Sequence, residues 1–309
     1  MAGSGRPGPP HRAGFVAIVG RPNVGKSTLL NRLVGQKLAI VSPKPQTTRG
    51  RILGVITRPD AQVALLDTPG LHTAKGGLNA RMVQQALRTL ADADAAAFLI
   101  EAGPPAIDTA TRRALDQVKA AGKPTLLVIN KVDTLPRARL LPLIDRWKDL
   151  HGWTEVYPLS ALTGENLDGF LDAVVRHLPE APPMFAPDQW TDRQETDLTG
   201  ELIREQLLRQ TGQEIPYSTA VLIEQFDESE RSVGPRGLVR IAATILVERD
   251  SQKAIVIGKG GARLKQIGTA ARGEIERLLG TKVFLQLHVR VEPDWTRTGK
   301  GLRRAGYED

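Results

Sequence analysis

A glycine-rich segment near the N-terminus has the residues needed to bind phosphate. Residues 20–27 read GRPNVGKS, which matches the P-loop pattern G-x-x-x-x-G-K-[ST] between a strand-like run and a helical pattern. Glycines allow successive N–H groups to point into one anion-sized nest, and the following helix adds the positive end of its dipole. We predict that Lys26 reaches the β- and γ-phosphates of a nucleotide and that the Ser27 hydroxyl holds Mg²⁺.

Two further segments could complete a magnesium and γ-phosphate site. A short apolar strand pattern ends at Asp67, whose carboxylate suits the Walker-B position on Mg²⁺, and the Gly70 N–H can approach the γ-phosphate. The polar loop 41–49 offers a threonine that could bind Mg²⁺ in the triphosphate state. We predict Thr48 for this role, with Thr47 as the alternative. The predicted magnesium ligands are Ser27, Thr48 and Asp67, and the predicted catalytic groups are Lys26, Thr48 and Gly70. The residues predicted to surround the phosphates are Gly20, Arg21, Pro22, Asn23, Val24, Gly25, Lys26, Ser27, Thr28, Asp67, Thr68, Pro69, Gly70 and Leu71.

A third strand pattern ends in residues 130–133, NKVD, which can read a guanine base. The Asp133 carboxylate can accept hydrogen bonds from guanine N1–H and from the 2-amino group. Adenine has no such amine, and a site built on such bonds discriminates strongly. The Lys131 stem can lie over the base, Asn130 can bond to the P-loop backbone, and the Ala161 N–H can meet guanine O6. The predicted guanine site comprises Asn130, Lys131, Asp133, Ser160, Ala161 and Leu162.

The elements that carry these residues alternate between strand and helix patterns. Apolar strand patterns at 15–19, 63–66, 95–100 and 125–129 and helical patterns between them predict an α/β domain. Its sheet is mostly parallel, with helices on both faces. Right-handed crossovers place the loops that follow the strands along one edge, with the P-loop.

Composition limits the chemistry and suggests two polyanion sites. The 309 residues favour two domains, and the absence of cysteine excludes disulfides, thiolate metal sites and a cysteine nucleophile. Residues 1–59 hold 10 Lys or Arg and no acid, and residues 251–309 hold 12 against 6 acids, within a net charge of +8. We predict a disordered tail at 1–13, the nucleotide domain at 14–180, a Pro-rich linker at 181–197, a smaller domain at 198–295 and a C-terminal tail at 296–309.

The second half has the pattern of a type II KH domain. A helical pattern at 198–210 and two strand patterns, at 217–226 and 238–247, precede a short helix, for which Ser251 is the predicted N-cap. The loop GKGG at 258–261 follows, then a second helix that ends at Gly280, and an alternating strand. Helix, GxxG, helix and strand form the α+β arrangement whose loop clamps about four nucleotides of single-stranded RNA. The predicted RNA contacts are Lys253, Gly258, Lys259, Gly260, Gly261, Arg263 and Lys265.

The four nucleotide segments resemble the first, third, fourth and fifth G boxes of translation-factor-like GTPases, and 46–49 resembles the second. Residues 182–185, 188–193, 245–253 and 255–261 resemble the linker and KH core of the Era family, so the resemblance runs from about Phe15 to Trp295. It implies a GTPase that converts GTP to GDP and phosphate and needs Mg²⁺. It also implies binding to the 3′ end of 16S rRNA and help in maturing the 30S subunit. A monomer is expected, in the cytoplasm and in part peripherally on the inner face of the cell membrane.

Two positions bear on hydrolysis. Leu71 follows Gly70, and a leucine cannot orient the attacking water as glutamine does in other GTPases, so we expect slow hydrolysis or help from another group. The resemblance shares this hydrophobic residue. Related GTPases with asparagine at the position of Asn23 can use K⁺ near the phosphates; an ordinary turn role for Asn23 is equally compatible with the sequence.

Two other functions fit parts of the pattern. A nucleotide hydrolase whose second domain serves only assembly would not need the acid-free surroundings of the GxxG loop. A tRNA-modification GTPase shares the G boxes but carries a C-terminal cysteine, which this chain lacks. A double-GTPase relative is excluded because only one P-loop occurs.

Overall fold

The computed structural model describes residues 10–42, 44, 47–69, 77–103, 107–211, 215, 219–233 and 237–304. The chain forms two compact units. Unit 1 comprises residues 1–39, 48–73 and 82–192, and unit 2 comprises residues 40–47, 74–81 and 193–309. The short segment 40–47, from the loop after the P-loop helix, therefore belongs with the second unit.

Unit 1 is built on a six-stranded sheet in the order β2-β3-β1-β4-β5-β6, in which only the edge strand β2 is antiparallel to its neighbour. The α/β prediction is confirmed. The helices and strands between residues 12 and 176 are β1 Arg12–Gly20, α1 Lys26–Val34, β2 Ile52–Thr57, β3 Ala61–Asp67, α2 Gly77–Asp92, β4 Ala95–Glu101, α3 Thr109–Ala121, β5 Thr125–Asn130, α4 Leu140–Lys148, β6 Glu155–Pro158 and α5 Leu167–Arg176.

The central strands are buried on both faces, which explains their continuous apolar sequences. One face packs around Phe98 and Trp147, whose ring centroids are 6.2 Å apart. Because β1, β3, β4, β5 and β6 run parallel, their carboxyl ends share one edge. Ile18 lies in register with Asp67 and Gly20 with Leu99, so the P-loop starts beside the Walker-B carboxylate.

The linker is attached to the edge of unit 1. The buried Gln62 side chain accepts hydrogen bonds from the backbone N–H groups of Met184 (2.6 Å) and Phe185 (2.8 Å) and donates to the Phe185 carbonyl (3.0 Å). Further along, Val55 N–H donates to the Trp190 carbonyl at 2.9 Å. Trp190 therefore covers part of the outer edge of β2, which would otherwise be exposed for pairing, while Gln62 on β3 holds residues 184 and 185.

Unit 2 has the helices and the three-stranded sheet of a type II KH domain. The sheet order is β7-β8-β9, with β7 antiparallel and β9 parallel to β8. Its apolar core joins the inner faces of β8 and β9 to the helices. The elements are α6 Glu195–Gln210, β7 Ala220–Glu230, β8 Leu238–Val247, α7 Asp250–Ile257, α8 Ala262–Leu279, β9 Lys282–Val291 and α9 Gly299–Arg304.

Several predicted boundaries differ from the structure. Strand β1 begins at Arg12, inside the predicted tail, and α6 begins at Glu195. The residue preceding α7 is Arg249, not Ser251, and the Gln252 side chain closes this helix start by accepting from Glu248 N–H (2.9 Å) and Arg249 N–H (3.2 Å). The predicted C-terminal tail contains α9. None of the described helices has an apolar stretch long enough to cross a membrane.

Candidate functional site: a nucleotide site and a basic groove

The P-loop curls tightly because two of its glycines adopt positive φ angles. Gly25 has φ 99°, and a Cβ there would lie 2.1 Å from Asn130 Nδ2; a Cβ on Gly20 would lie 2.5 Å from the Leu99 carbonyl oxygen. The buried Lys26 side chain donates to the carbonyls of Gly20 (3.2 Å) and Arg21 (3.0 Å). Its ammonium group therefore sits over the inside of the loop.

The three predicted magnesium ligands converge. Ser27 Oγ lies 2.8 Å from Asp67 Oδ2, Thr48 Oγ1 lies 3.1 Å from the same oxygen, and the two hydroxyl oxygens are 3.1 Å apart. Between the two threonines that the sequence left open, the hydroxyl at this cluster belongs to Thr48. Thr47 instead accepts a hydrogen bond through its carbonyl from Arg204.

Burial dominates the electrostatics of this cluster. It raises the pKa of the Asp67 carboxyl, against the opposing effects of the Lys26 charge and of the hydroxyls of Ser27 and Thr48. Burial also lowers the pKa of the Lys26 ammonium, against the field of Asp67. Two buried groups of opposite charge, whose pKa values are both shifted against the charged form, are typical of a site that binds a charged ligand.

The cluster fits Mg²⁺ in donor chemistry. Its oxygens are two hydroxyls and a carboxylate, the hard ligands that Mg²⁺ prefers, and Mg²⁺ usually takes only a few protein oxygens beside phosphate and water. Asp67 Oδ1 is buried and has no hydrogen-bond partner of good geometry among the described residues. An orphaned carboxylate oxygen beside two hydroxyls is what an absent cation or its water would satisfy.

Asn130 joins the P-loop to the two segments that are predicted to recognise the base. Its Nδ2 donates to the Val24 carbonyl at 2.8 Å, as the sequence predicts, and its Oδ1 accepts from Ala161 N–H at 2.9 Å. The Ala161 N–H, which the sequence predicts to meet guanine O6, makes this second contact, and its bond to guanine stays a prediction. Ser160 and Ala161 are both buried in the loop that follows β6, the strand paired with β5.

The other predicted base residues surround this bridge. Lys131 has φ 66° and pairs with Glu101 at 2.9 Å, which holds its stem at the rim. Asp133 is exposed in the first turn after β5, and Leu162 is 72% exposed on the opposite loop. An open cavity of about 610 Å³ borders Asp133. This carboxylate is thus accessible to a base.

Some predicted phosphate residues take structural roles or fall outside the description. The buried Thr68 hydroxyl donates to the Ile18 carbonyl at 3.1 Å and so ties β3 to β1. Arg21 pairs with Asp108 at 3.1 Å, and Asp108 also caps α3. Gly70 and Leu71 lie outside the described residues. Pro22, Asn23, Val24 and Thr28 lie in the loop or at the start of α1, and Pro69 follows β3. Asn23 is exposed, with φ 66°.

A groove of about 370 Å³ runs along α8 next to β9 in unit 2. Lys265 and Arg272 are exposed at its side, and Leu285 and Leu287 form its apolar floor. Gly261, the last residue of the predicted GxxG loop at 258–261, also lines this groove. Sequence reasoning missed the wall beyond Lys265, although the i, i+3, i+4, i+7 spacing of residues 265, 268, 269 and 272 places them on one face of a helix. The groove is lined by Gly261, Leu264, Lys265, Gly268, Thr269, Arg272, Leu285 and Leu287.

The glycines of the loop are required for different reasons. Gly258 has φ 72° and ψ 176°, and a Cβ there would lie 2.8 Å from Arg263 Cβ. Gly260 and Gly261 also have positive φ, but a Cβ on either would meet nothing within 4 Å. Arg263, predicted as an RNA contact, donates to the Ile255 carbonyl at 2.6 Å and closes the end of α7. Lys253 is half-buried on α7, while Lys259 is exposed.

Comparison with known proteins gives matches over both units. The family model described as 50S ribosome-binding GTPase matches residues 15–131, and the KH domain model matches residues 214–296. GTPase Era of Syntrophus aciditrophicus is 46% identical over 298 residues, which are 96% of this chain and 96% of the relative. GTPase Era of Stenotrophomonas maltophilia is 48% identical over 301 residues, 97% and 98% of the two chains. The chain belongs to the Era family of GTPases.

Solved Era structures have the same fold over nearly the whole length. An Era crystal structure in complex with MgGDPNP and nucleotides 1506–1542 of 16S ribosomal RNA superposes with a TM-score of 0.91 at 42% identity and covers 97% of this chain and 100% of its own. A variant of Aquifex aeolicus Era bound to GDP and AlF₄⁻ gives a TM-score of 0.90 at 41% identity, with 96% and 100% covered. This Era-family chain is therefore a GTPase with a P-loop domain and a KH domain.

Proposed function

We propose that this GTPase is a switch that binds the 3′ end of 16S rRNA through its KH domain and assists maturation of the 30S subunit. The observation that carries the proposal is the basic groove beside the GxxG loop. In support, the related Era solved with 16S rRNA nucleotides and MgGDPNP aligns with 97% of this chain. Family resemblance further predicts a monomer with some peripheral membrane association, and both stay predictions.

We assign the nucleotide chemistry to the cluster described above. When GTP binds, its phosphate oxygens would replace the Gly20 and Arg21 carbonyls as acceptors for Lys26, which moves a positive charge onto the β- and γ-phosphates. Ser27, Thr48 and Asp67 would hold Mg²⁺, which neutralises the charge that develops on the phosphates during transfer. Asp133 would read guanine, and Asn130 would keep the base-reading loops aligned with the P-loop.

The attacking water must be oriented by a group other than residue 71, because leucine has no donor or acceptor in its side chain. A K⁺ ion held with the help of Asn23 would supply positive charge at the phosphates, the effect for which other GTPases use an arginine finger. The exposed, left-handed position of Asn23 in the P-loop is compatible with that role.

The RNA-binding proposal follows from shape and charge in unit 2. Lys259 lies at the loop, and Lys265 and Arg272 continue along the groove, so three exposed cations follow one path. Gly260 and Gly261 leave open space above their backbone, which lets a ribose-phosphate chain approach the main chain closely. The apolar floor of Leu285 and Leu287 can receive bases that have been unstacked from a single strand.

The experiment is a paired measurement on the full chain. RNA affinity is measured by fluorescence anisotropy with a 16S 3′-end oligonucleotide, and GTP turnover is measured without RNA. Lys259→Asp combined with Gly260→Asp places two carboxylates where phosphates should lie, so RNA binding should fall by more than about tenfold, or about 1.4 kcal/mol. Basal GTP turnover should change little, because neither residue lies in the nucleotide site.

The matched control is Arg277→Asp, which reverses a charge near the other end of α8. Arg277 has a 71% exposed side chain paired with Glu274 and does not line the groove. It should be compared with Lys259→Asp alone, since both change the net charge equally. If the two single variants lose RNA affinity equally, or if the double variant binds normally, the groove does not hold the RNA.

A further inference from the structure

Helix α6 of unit 2 is buried over most of residues 198–208 and contacts Val41, Lys44 and Thr47. Lys44 Nζ donates to the carbonyls of Leu208 and Thr211, and Arg204 donates to the Thr47 carbonyl. Residues 204, 208 and 211 are spaced four and three apart, so these contacts lie along one face of the helix. The carbonyls that Lys44 meets lie at the last turn and just past it, where the helix itself leaves acceptors unused and its dipole attracts a cation.

Arg204 is the most rigid of these anchors. Its side chain is only 2% exposed, and Glu201 holds its guanidinium with two hydrogen bonds, from Nε at 2.9 Å and from Nη2 at 2.8 Å. A guanidinium presents donors in a fixed planar fork and stays charged at any physiological pH. Because the fork is fixed by Glu201, the direction of the donor that reaches Thr47 is also fixed.

The bond to Thr47 has a consequence for the next residue. The peptide group joining residues 47 and 48 is planar and trans, so fixing the Thr47 carbonyl also fixes the direction of the Thr48 N–H. Thr48 has a 5% exposed side chain whose hydroxyl lies 3.1 Å from both Ser27 Oγ and Asp67 Oδ2. The residue that completes the oxygen cluster is thus joined directly to the residue that Arg204 holds.

We propose that Arg204 is a positioning residue for GTP hydrolysis, which sets the place of Thr48 at the magnesium site by holding the Thr47 carbonyl. Arg204 itself touches neither nucleotide nor metal in this role. The proposal rests on the proposed function of Thr48. In that function Thr48 binds Mg²⁺ and responds to the triphosphate through it. Loss of Arg204 should therefore affect the triphosphate state and leave guanine and diphosphate binding in place.

The test uses Arg204→Met in the full chain. Methionine is an unbranched residue that favours the helix, as arginine does, but its side chain has no hydrogen-bond donor. Affinities for GDP and for a non-hydrolysable GTP analogue are measured by titration over a range of Mg²⁺ concentrations, together with single-turnover GTP hydrolysis. We expect affinity for the GTP analogue to fall about tenfold, a change of about 1.4 kcal/mol, and the Mg²⁺ concentration for half-maximal hydrolysis to rise. GDP affinity should change by less than about twofold, which is about 0.4 kcal/mol. Retained GDP affinity also shows that the nucleotide domain of the variant is folded.

Three further variants make the result decisive. Arg209→Met removes a 45% exposed guanidinium that bonds to the Val41 carbonyl at 3.3 Å, so it loosens the same segment away from Thr48 and should leave the ratio of GTP to GDP affinity unchanged. Arg204→Lys keeps the charge and one donor and should recover part of the lost ratio. Thr48→Ala tests the proposed function on its own.

The outcomes separate the two proposals. If Thr48→Ala leaves the Mg²⁺ dependence unchanged, the role of Thr48 is wrong and the positioning role falls with it. If Thr48→Ala raises the Mg²⁺ concentration for half-maximal hydrolysis while Arg204→Met behaves like Arg209→Met, Thr48 acts at the metal but Arg204 does not position it. Equal loss of GDP and GTP affinity in Arg204→Met would assign Arg204 to folding alone and overturn the inference.

Discussion

At the scale of single residues, Asn130 shows how one side chain aligns separate parts of the nucleotide site. It is 2% exposed and uses its amide donor on the P-loop and its amide acceptor on the loop of Ala161. The planar amide of asparagine offers both a donor and an acceptor on one short side chain, so a single residue can bond to both loops. The P-loop and the loop of Ala161 are thereby joined through one side chain, with Asp133, the predicted base-reading residue, three residues farther along.

Asp133 gives the most direct test of base specificity. Asp133→Asn replaces the acceptor for the guanine 2-amino group with an amide that can donate to the C2 carbonyl of xanthine. We expect GTP affinity to fall by at least about tenfold and xanthosine triphosphate to bind better than to the wild type. Titration with both nucleotides measures this, with Asp145→Asn on the exposed face of α4 as the control. Unchanged GTP affinity would remove Asp133 from the base site.

Asn23 offers a test of the cation proposal. GTP turnover should be faster in K⁺ than in Na⁺ at equal ionic strength, because K⁺ near the phosphates would offset the negative charge of the transition state. Asn23→Ala should abolish the difference between the salts and leave the slower Na⁺ rate nearly unchanged. Equal wild-type rates in the two salts would exclude a specific K⁺ effect and require another group to compensate for leucine at position 71.

At the scale of elements, the loop between α7 and α8 separates a glycine needed for folding from one needed for binding. Gly258→Ala would force a Cβ to within 2.8 Å of Arg263, at a positive φ, so the melting temperature should fall by several degrees. Gly260→Ala meets no neighbour, so it should cost only the roughly 1–2 kcal/mol of a left-handed residue in stability while it weakens RNA binding. Thermal melts and RNA titrations of both variants check this. Equal destabilisation by the two changes would contradict the distinction.

The elements also show what the sequence can and cannot predict. The apolar patterns predict the buried strands, and the predicted β8 has the bounds seen in the structure, Leu238–Val247, because a strand buried on its inner face must alternate or run apolar. Ser251 was a wrong N-cap because a glutamine one position later reaches back to two free N–H groups, and both choices fit the local sequence. Contacts such as Gln62 with the linker and Arg204 with Thr47 join residues more than a hundred positions apart, so local patterns cannot reveal them.

The same reasoning applies to the sites. Motif spacing predicted the Ser27, Thr48 and Asp67 cluster because strand order in a parallel sheet places consecutive strand ends on one edge. The groove wall at Thr269 and Arg272 was missed because a basic helix face is common on solvent-exposed helices. Only the neighbouring floor of β9 shows that these residues border a cavity.

At the scale of the whole molecule, the uneven charge can be tested through its effect on RNA binding. Residues 251–309 carry 12 basic and 6 acidic residues, and a general attraction to this end of the chain would not depend on any one lysine. Binding in the groove would instead release a definite number of counterions. For single strands, the slope of log affinity against log salt changes by about 0.7 for each phosphate contact.

We therefore expect Lys259→Ala and Lys265→Ala each to reduce that slope by about 0.7, and the double variant by about 1.4. Lys282→Ala removes the same charge from the start of β9, where the lysine faces Glu276 at 3.7 Å outside the groove, and should leave the slope nearly unchanged. Anisotropy titrations of a 16S 3′-end oligonucleotide over a range of KCl concentrations measure the slope for the wild type and the four variants. If Lys282→Ala lowers the slope as much as the groove variants do, the RNA is held by the overall charge of the domain, and the groove is not its binding site.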